Sequence, residues 1–183
     1  MRHPILAIAA LILAGEVIFA LPFHIPRFFR ATLLEVFGLS NADLGDVFAV
    51  YGVTAMIAYF PGGAIADRFA PHKLISLSLF ATALGGLYLA TIPGYRGLSV
   101  LFAYWGITSI LLFWAALIRS TREWGGERAQ GRAFGILDGG RGLAAAALAS
   151  VAVLVFARGY VPDPATLDPA SRRAAFVQVI AFY

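Results

Sequence analysis

The chain of 183 residues is 60% hydrophobic and 13% charged, with a mean hydropathy of +0.80, which excludes a soluble domain of this length. Its formal charge of +4 is spread over short stretches between apolar runs, a distribution that argues against a nucleic-acid partner. With no cysteine, neither disulfides nor thiolate metal sites are available. An all-α, polytopic membrane helical bundle is therefore expected, with no cofactor.

About 20 apolar residues carry a helix across the hydrocarbon core. The first predicted helix covers 4–29, and its apolar heart LAIAALILAGEVIFALPF carries one charge, Glu16. A cleaved signal peptide is disfavoured by that length, by Glu16, and by the lack of a small-x-small site before Pro22. Ser40 followed by Asp43 reads as a capping box opening the second helix, 41–66. The third and fourth helices cover 71–92 and 98–118. The next stretch, RSTREWGGERAQGR at 119–132, reads as a basic loop in which Glu123 and Glu127 can pair with neighbouring arginines. Its Gly125-Gly126 pair lacks the spacing of a phosphate-cradling loop. The fifth helix covers 131–157, and RGYVPDPATLDP reads as an aqueous loop. Asp168-Pro169 then marks the start of a sixth helix at 169–183, whose apolar part begins only at Ala174. That helix is too short to span, so the chain is expected to be the first half of a longer polypeptide whose C-terminal half is missing.

Charge counting orients these helices only weakly. With the amino terminus inside, Arg2, Arg68, Lys73, Arg119, Arg122, Arg128 and Arg132 are cytoplasmic, against Arg27, Arg30, Arg96, Arg158, Arg172 and Arg173 outside. The four arginines concentrated in 119–132 favour that orientation.

GGAIADR at 62–68, between the second and third helices, resembles the signature turn of the major facilitator superfamily. Gly63, Asp67 and Arg68 match its pattern, Ala70 stands where a second glycine is usual and Pro71 where a basic residue is usual, and His72 and Lys73 restore part of the basic character. The resemblance covers essentially the whole chain and implies the N-terminal half of a twelve-helix transporter in the inner membrane of a bacterium. It also implies that Gly63, Asp67, Arg68 and Lys73 form a conformational latch between transporter halves. Read from the residues alone, these charges are better taken as solvated topology determinants; the spacing and the position between two helices favour the latch.

Glu16 and Arg141 fall deep within spans. At 1.5 Å per residue, Glu16 lies about 18 Å beyond Pro4 and Arg141 about 16 Å beyond Gln130, so both are expected near mid-membrane. A charge there costs about 2.5 to 3.5 kcal/mol and usually faces a partner or a wet cavity. The resemblance implies a substrate site at that depth. Arg141 is the candidate for an anionic group on a small-molecule substrate, because its guanidinium presents a fork to carboxylate or phosphate; Glu16 is its counter-charge or a proton carrier. The alternative is a structural pair between Arg141 and Asp138, three residues apart on one helix. His24, after the first apolar run, reads as an interfacial residue, and Trp105 and Trp114 as candidate aromatic cavity walls.

Gly131, Gly135 and Gly139, and then Gly142, Ala146 and Ser150, recur every four residues along the fifth helix and read as a packing stripe. Drug–proton antiporters of the family carry an arginine four residues before a glycine in helix four, where Phe102 stands here, and a Gly-Pro pair in helix five, which has no proline here. Transport of a small organic anion is the first reading, with a coupled proton as a possible partner, and drug efflux is the alternative. A polytopic enzyme lacks support, since neither HExxH, nor GxSxG, nor clustered carboxylates occur. A non-transporting assembly subunit is the remaining class.

Overall fold

The computed structural model describes residues 4–158 and 168–183. Arg2 and most of the proline-rich stretch after Arg158 lie outside them. The described helices are α1 (Pro4–Val17), a π-helical turn (Ala20–His24), α2 (Ile25–Phe28), α3 (Arg30–Phe37), α4 (Asn41–Arg68), α5 (Pro71–Leu89), α6 (Tyr95–Ile110), α7 (Trp114–Gly125), α8 (Gln130–Ala157) and α9 (Pro169–Phe182). Four are long and apolar enough to cross a membrane: α4, α5, α6 with α7 as one span, and α8. The first span is a fifth, bent by 44° between α1 and the segment Ala20–Phe28.

Local chemistry explains the boundaries. Gly38 ends α3 in the left-handed conformation at φ 63°, which glycine adopts without a Cβ penalty. Two residues on, the Ser40 hydroxyl accepts from the Asp43 amide at 3.1 Å and the Asp43 carboxylate accepts from the Ser40 amide at 2.8 Å, the expected capping box. Arg30 ties the start of α3 to the start of α4 by donating to Asn41 Oδ1 at 2.7 and 3.0 Å. At α9 the Asp168 carboxylate accepts from the amides of Ala170 and Ser171 at 3.0 and 3.1 Å, with Pro169 in the first turn, again as expected.

Two expectations fail. Helix four does not end at residue 118: α7 continues to Gly125, so much of the expected 119–132 loop is helix. Its arginines and Glu123 lie on an amphipathic turn beyond the apolar run, where hydropathy falls but helical pairing persists. The first helix is likewise not one rod over 4–29. Pro22 and Pro26 are accommodated by the π-turn and by the first turn of α2.

The helices pack around two clusters. One gathers Leu21, Ile25, Leu44, Leu101, Phe102, Trp105, Phe176 and their neighbours at the end where α4 begins. The other gathers Ile8, Ile18, Ala66, Leu74, Phe113 and Leu117 at the end where α4 finishes. Hydrophobic burial gives little drive between helices in lipid, so close packing and polar contacts decide which helices pair. At Gly62 a Cβ would lie 2.8 Å from the Leu111 carbonyl oxygen, and at Gly106 one would lie 2.6 Å from the Tyr51 carbonyl oxygen. These two glycines let α4 and the α6–α7 span touch backbone to backbone. Ser109 donates to the Trp105 carbonyl at 2.6 Å, so Tyr51 donates to Ser109 at 2.7 Å, and Trp105 Nε1 donates to the Thr82 carbonyl of α5 at 3.0 Å.

Candidate functional site

The bend in the first span builds the site. On an uninterrupted α-helix, Glu16 and His24 would be about 12 Å apart along the axis. The break after Val17 and the π-turn bring them together, with Glu16 Oε1 2.7 Å from His24 Nε2. Both side chains are buried, at 8% and 5% exposure for the two residues. His24 is thus not the interfacial residue expected; its imidazole faces inward, edge-on to Phe28 and Tyr183.

From α8, Arg141 approaches the other carboxylate oxygen, its Nε 3.3 Å from Glu16 Oε2. The same Nε donates to the Gly15 carbonyl at 3.0 Å, and the guanidinium lies 5.7 Å from the Phe19 ring centroid. A terminal nitrogen of Arg141 lies 3.6 Å from Asp138 Oδ1, a carboxylate that is mostly exposed. Both pairings considered from the sequence are present together. Glu16 and Gly15 hold the Nε of the guanidinium, and one terminal nitrogen faces the Asp138 carboxylate. A small aperture makes this approach possible: a Cβ at Gly15 would lie 3.1 Å from Arg141 Cδ.

The two tryptophans part company. Trp105 is fully buried between α5 and α6, which corrects its expected place in a cavity wall. Trp114 is half-buried, meets Phe19 edge-on at 6.3 Å, and lines a hollow of about 460 Å³ with Gly62, Gly63, Asp67, Arg119 and Glu123.

At the signature turn, Gly63, Asp67, Arg68 and Lys73 are all exposed, and among the described residues none of the three charges forms an ion pair. The residue that closes this end of α4 is one the sequence reading did not single out. Arg119 of α7 donates to the Ala66 carbonyl at 2.6 Å and pairs with Glu123 at 2.8 Å, placing a cation on the negative end of the α4 dipole. The expected pairing of Glu123 with a neighbouring arginine is present in this contact.

The glycine stripe of α8 packs differently from expectation. A Cβ at Gly131, Gly135, Gly139 or Gly142 would meet nothing within 4 Å, whereas one at Gly140 would collide with Ile12 of α1. Among the described residues the stripe is bare, and Gly140 makes the close contact of this helix. Periodicity identified a smooth ridge without saying which side of α8 the neighbouring helix occupies.

A bundle of apolar helices holding an ion-paired carboxylate and arginine within its spans is the construction of a polytopic membrane protein with a polar interior. A family model described as Major Facilitator Superfamily matches residues 6–162, and the chain belongs to that family. It is 34% identical over 146 residues to the inner membrane protein YihN of Escherichia coli (strain K12), covering 80% of this chain and 34% of that protein. It is 30% identical over 161 residues to the inner membrane protein YqcE of the same organism, covering 88% of this chain and 37% of that protein. An uncharacterized MG294 homolog from Mycoplasma pneumoniae shares 26% identity over 152 residues. The chain spans about a third of the length of these curated relatives. No solved structure matches it.

Proposed function

We propose that the chain is the N-terminal, six-helix half of a secondary transporter of the bacterial inner membrane, with its amino terminus in the cytoplasm, and that it moves a small organic anion by alternating access. The observation that carries this reading is the arrangement of Arg141. Its Nε is occupied by Glu16 and the Gly15 carbonyl, while among the described residues its terminal nitrogens meet only the exposed carboxylate of Asp138, at 3.6 Å. A carboxylate or phosphate of the substrate takes the place of Asp138 on those nitrogens, where two parallel hydrogen bonds can form. Glu16 keeps the guanidinium oriented and offsets its charge when the site is empty. The names of the two Escherichia coli relatives support the membrane assignment.

The second element is the turn after α4. Asp67, Arg68 and Lys73 are unpaired among the described residues and stand beside the bare backbone of Gly63. They act as the latch against the other half of the transporter, in one of its two states. Asp67→Asn then slows transport while leaving the amount of inserted protein unchanged; unaltered transport removes Asp67 from the mechanism.

The test of the site is Arg141→Lys in the intact protein reconstituted into liposomes, with glycerol 3-phosphate and glucuronate as probes. The substitution keeps the charge and removes the fork. Uptake of the transported probe falls by about tenfold or more, the worth of one lost charge-assisted hydrogen bond. Unchanged uptake and affinity refute the assignment.

A further inference from the structure

The anion reading leaves His24 without a task, yet it is one of the few buried titratable side chains among the described residues. With Glu16 ionised beside Arg141, the carboxylate can only accept, so His24 Nε2 carries the hydrogen and Nδ1 is the basic nitrogen. Nδ1 is buried and has no hydrogen-bond partner among the described residues. An unpartnered buried acceptor costs stability, and here it sits on the one side chain whose unperturbed titration falls between pH 5 and 8.

We infer that His24 is the proton-binding residue of this transporter, taking one proton at Nδ1 each time Arg141 takes an anion. This rests on the anion reading of Arg141 and adds to it the coupling ion and its site. The groups around the imidazole are Glu16 of α1, Arg141 and Asp138 of α8 beyond it, the Tyr183 phenol after α9, and Arg27, whose guanidinium lies 5.3 Å from the centroid of the Phe28 ring that His24 meets edge-on. Charge bookkeeping within the membrane then sets the direction of coupling. In the buried part of the empty site one carboxylate, Glu16, faces one guanidinium, Arg141, while Asp138 is mostly exposed to solvent. An arriving monoanion alone leaves one uncompensated negative charge in a poorly solvated place, which is costly. A proton on Nδ1 cancels it. The imidazolium also strengthens its hold on Glu16 Oε1 and so draws the carboxylate from Arg141, leaving the guanidinium freer to bind substrate. Proton and anion therefore favour each other's binding, and the linkage is reciprocal. No bond is made or broken except N–H: the proton enters from water and leaves to water with the anion, giving symport of one proton per monoanion.

The experiment uses the intact protein and His24→Gln, whose amide retains a donor near Glu16 but cannot titrate. Binding of glucuronate, a monoanion throughout, and of glycerol 3-phosphate, counted as its monoanion because its own phosphate titrates at about pH 6, is measured from pH 5.5 to 8.5, along with proton uptake from a weakly buffered solution when the probe is added, corrected for the probe's own protons. For the natural protein, affinity falls by up to about tenfold per pH unit on the alkaline side, and about one proton is taken up per anion bound. For His24→Gln, affinity stays near the weak alkaline limit at every pH and proton uptake is lost. A His24→Gln variant that keeps both the pH slope and the proton uptake overturns the inference. If neither probe binds the natural protein, the anion reading is what has failed, and the proton site is judged by nitrogen NMR of labelled histidine in the ligand-free protein. A His24 signal that titrates between pH 5 and 9 and moves with Glu16→Gln sustains the proton site, while a neutral tautomer unchanged over that range overturns it.

Discussion

Glu16 joins both halves of the bent first span to α8: one of its carboxylate oxygens meets His24 across the bend and the other meets Arg141. Neutralising it leaves the guanidinium only its longer contact with the exposed Asp138 carboxylate at 3.6 Å, and breaking a buried pair from one side commonly costs about 3 kcal/mol. Glu16→Gln should therefore lower the thermal unfolding midpoint of the purified protein, and so should Arg141→Gln. The double variant, which removes both charges, should lose less than the sum of the two. Additive losses would show that the pair is not energetically coupled.

Glycines that resemble one another in sequence should behave oppositely. Gly62→Ala places a Cβ 2.8 Å from a backbone oxygen of the neighbouring span, and overpacking of this kind costs about 1 to 3 kcal/mol. Gly135→Ala meets open space and gains helix propensity of up to about 1 kcal/mol. Denaturation curves of the two variants should move in opposite directions, and equal effects would contradict the packing described for α4 and α8.

Arg119→Leu should loosen the end of α4. The substitution removes the donor to the Ala66 carbonyl and the cation at the helix terminus. Hydrogen exchange at the Phe69 amide, which bonds to Ile65, is expected to quicken several-fold while exchange at the start of α4 is unchanged. An unaltered rate at Phe69 would show that Arg119 is not the cap.

At the start of α9 the Ser171 side chain and backbone amide hold the Asp168 carboxyl below its ordinary value of 3.8. A carboxylate with a depressed folded pKa contributes stability that is present above the unfolded value and lost as pH falls through the folded one. Acidification below about pH 4 should fray the first turn of α9, seen as faster exchange of the Ala170 and Ser171 amides. Asp168→Ala should show the faster exchange at neutral pH as well, and no difference between the two proteins at neutral pH would refute the cap.

How much of this could be read from the residues alone varies by feature. The spans, the Ser40 and Asp168 caps, and the common depth of Glu16 and Arg141 follow from apolar run length and from 1.5 Å per residue, which the bend of the first span does not disturb because it comes after Glu16. His24 was misplaced because Pro22 and Pro26 look like the end of a helix, whereas a π-turn carries the chain past them. Trp105 was misplaced because spacing along helix four cannot show that α5 offers the Thr82 carbonyl to its indole. Arg119 was overlooked because a polar turn after an apolar run reads as loop. In each miss the missing information was which neighbour faces which side of a helix, a tertiary fact without local pattern.

The most direct measurement is the charge preference of labelling beside Arg141. The chain has no cysteine, so Asp138→Cys introduces a single thiol into it, one turn from the guanidinium. Sealed vesicles are treated with anionic and with cationic methanethiosulfonates of similar size. If Arg141 presents an open positive edge to a water-filled path, the anionic reagent reacts several-fold faster than the cationic one, and the preference disappears when Arg141→Gln is added. A thiol that neither reagent reaches, or one that both label equally with Arg141 in place, would contradict an anion site at this position.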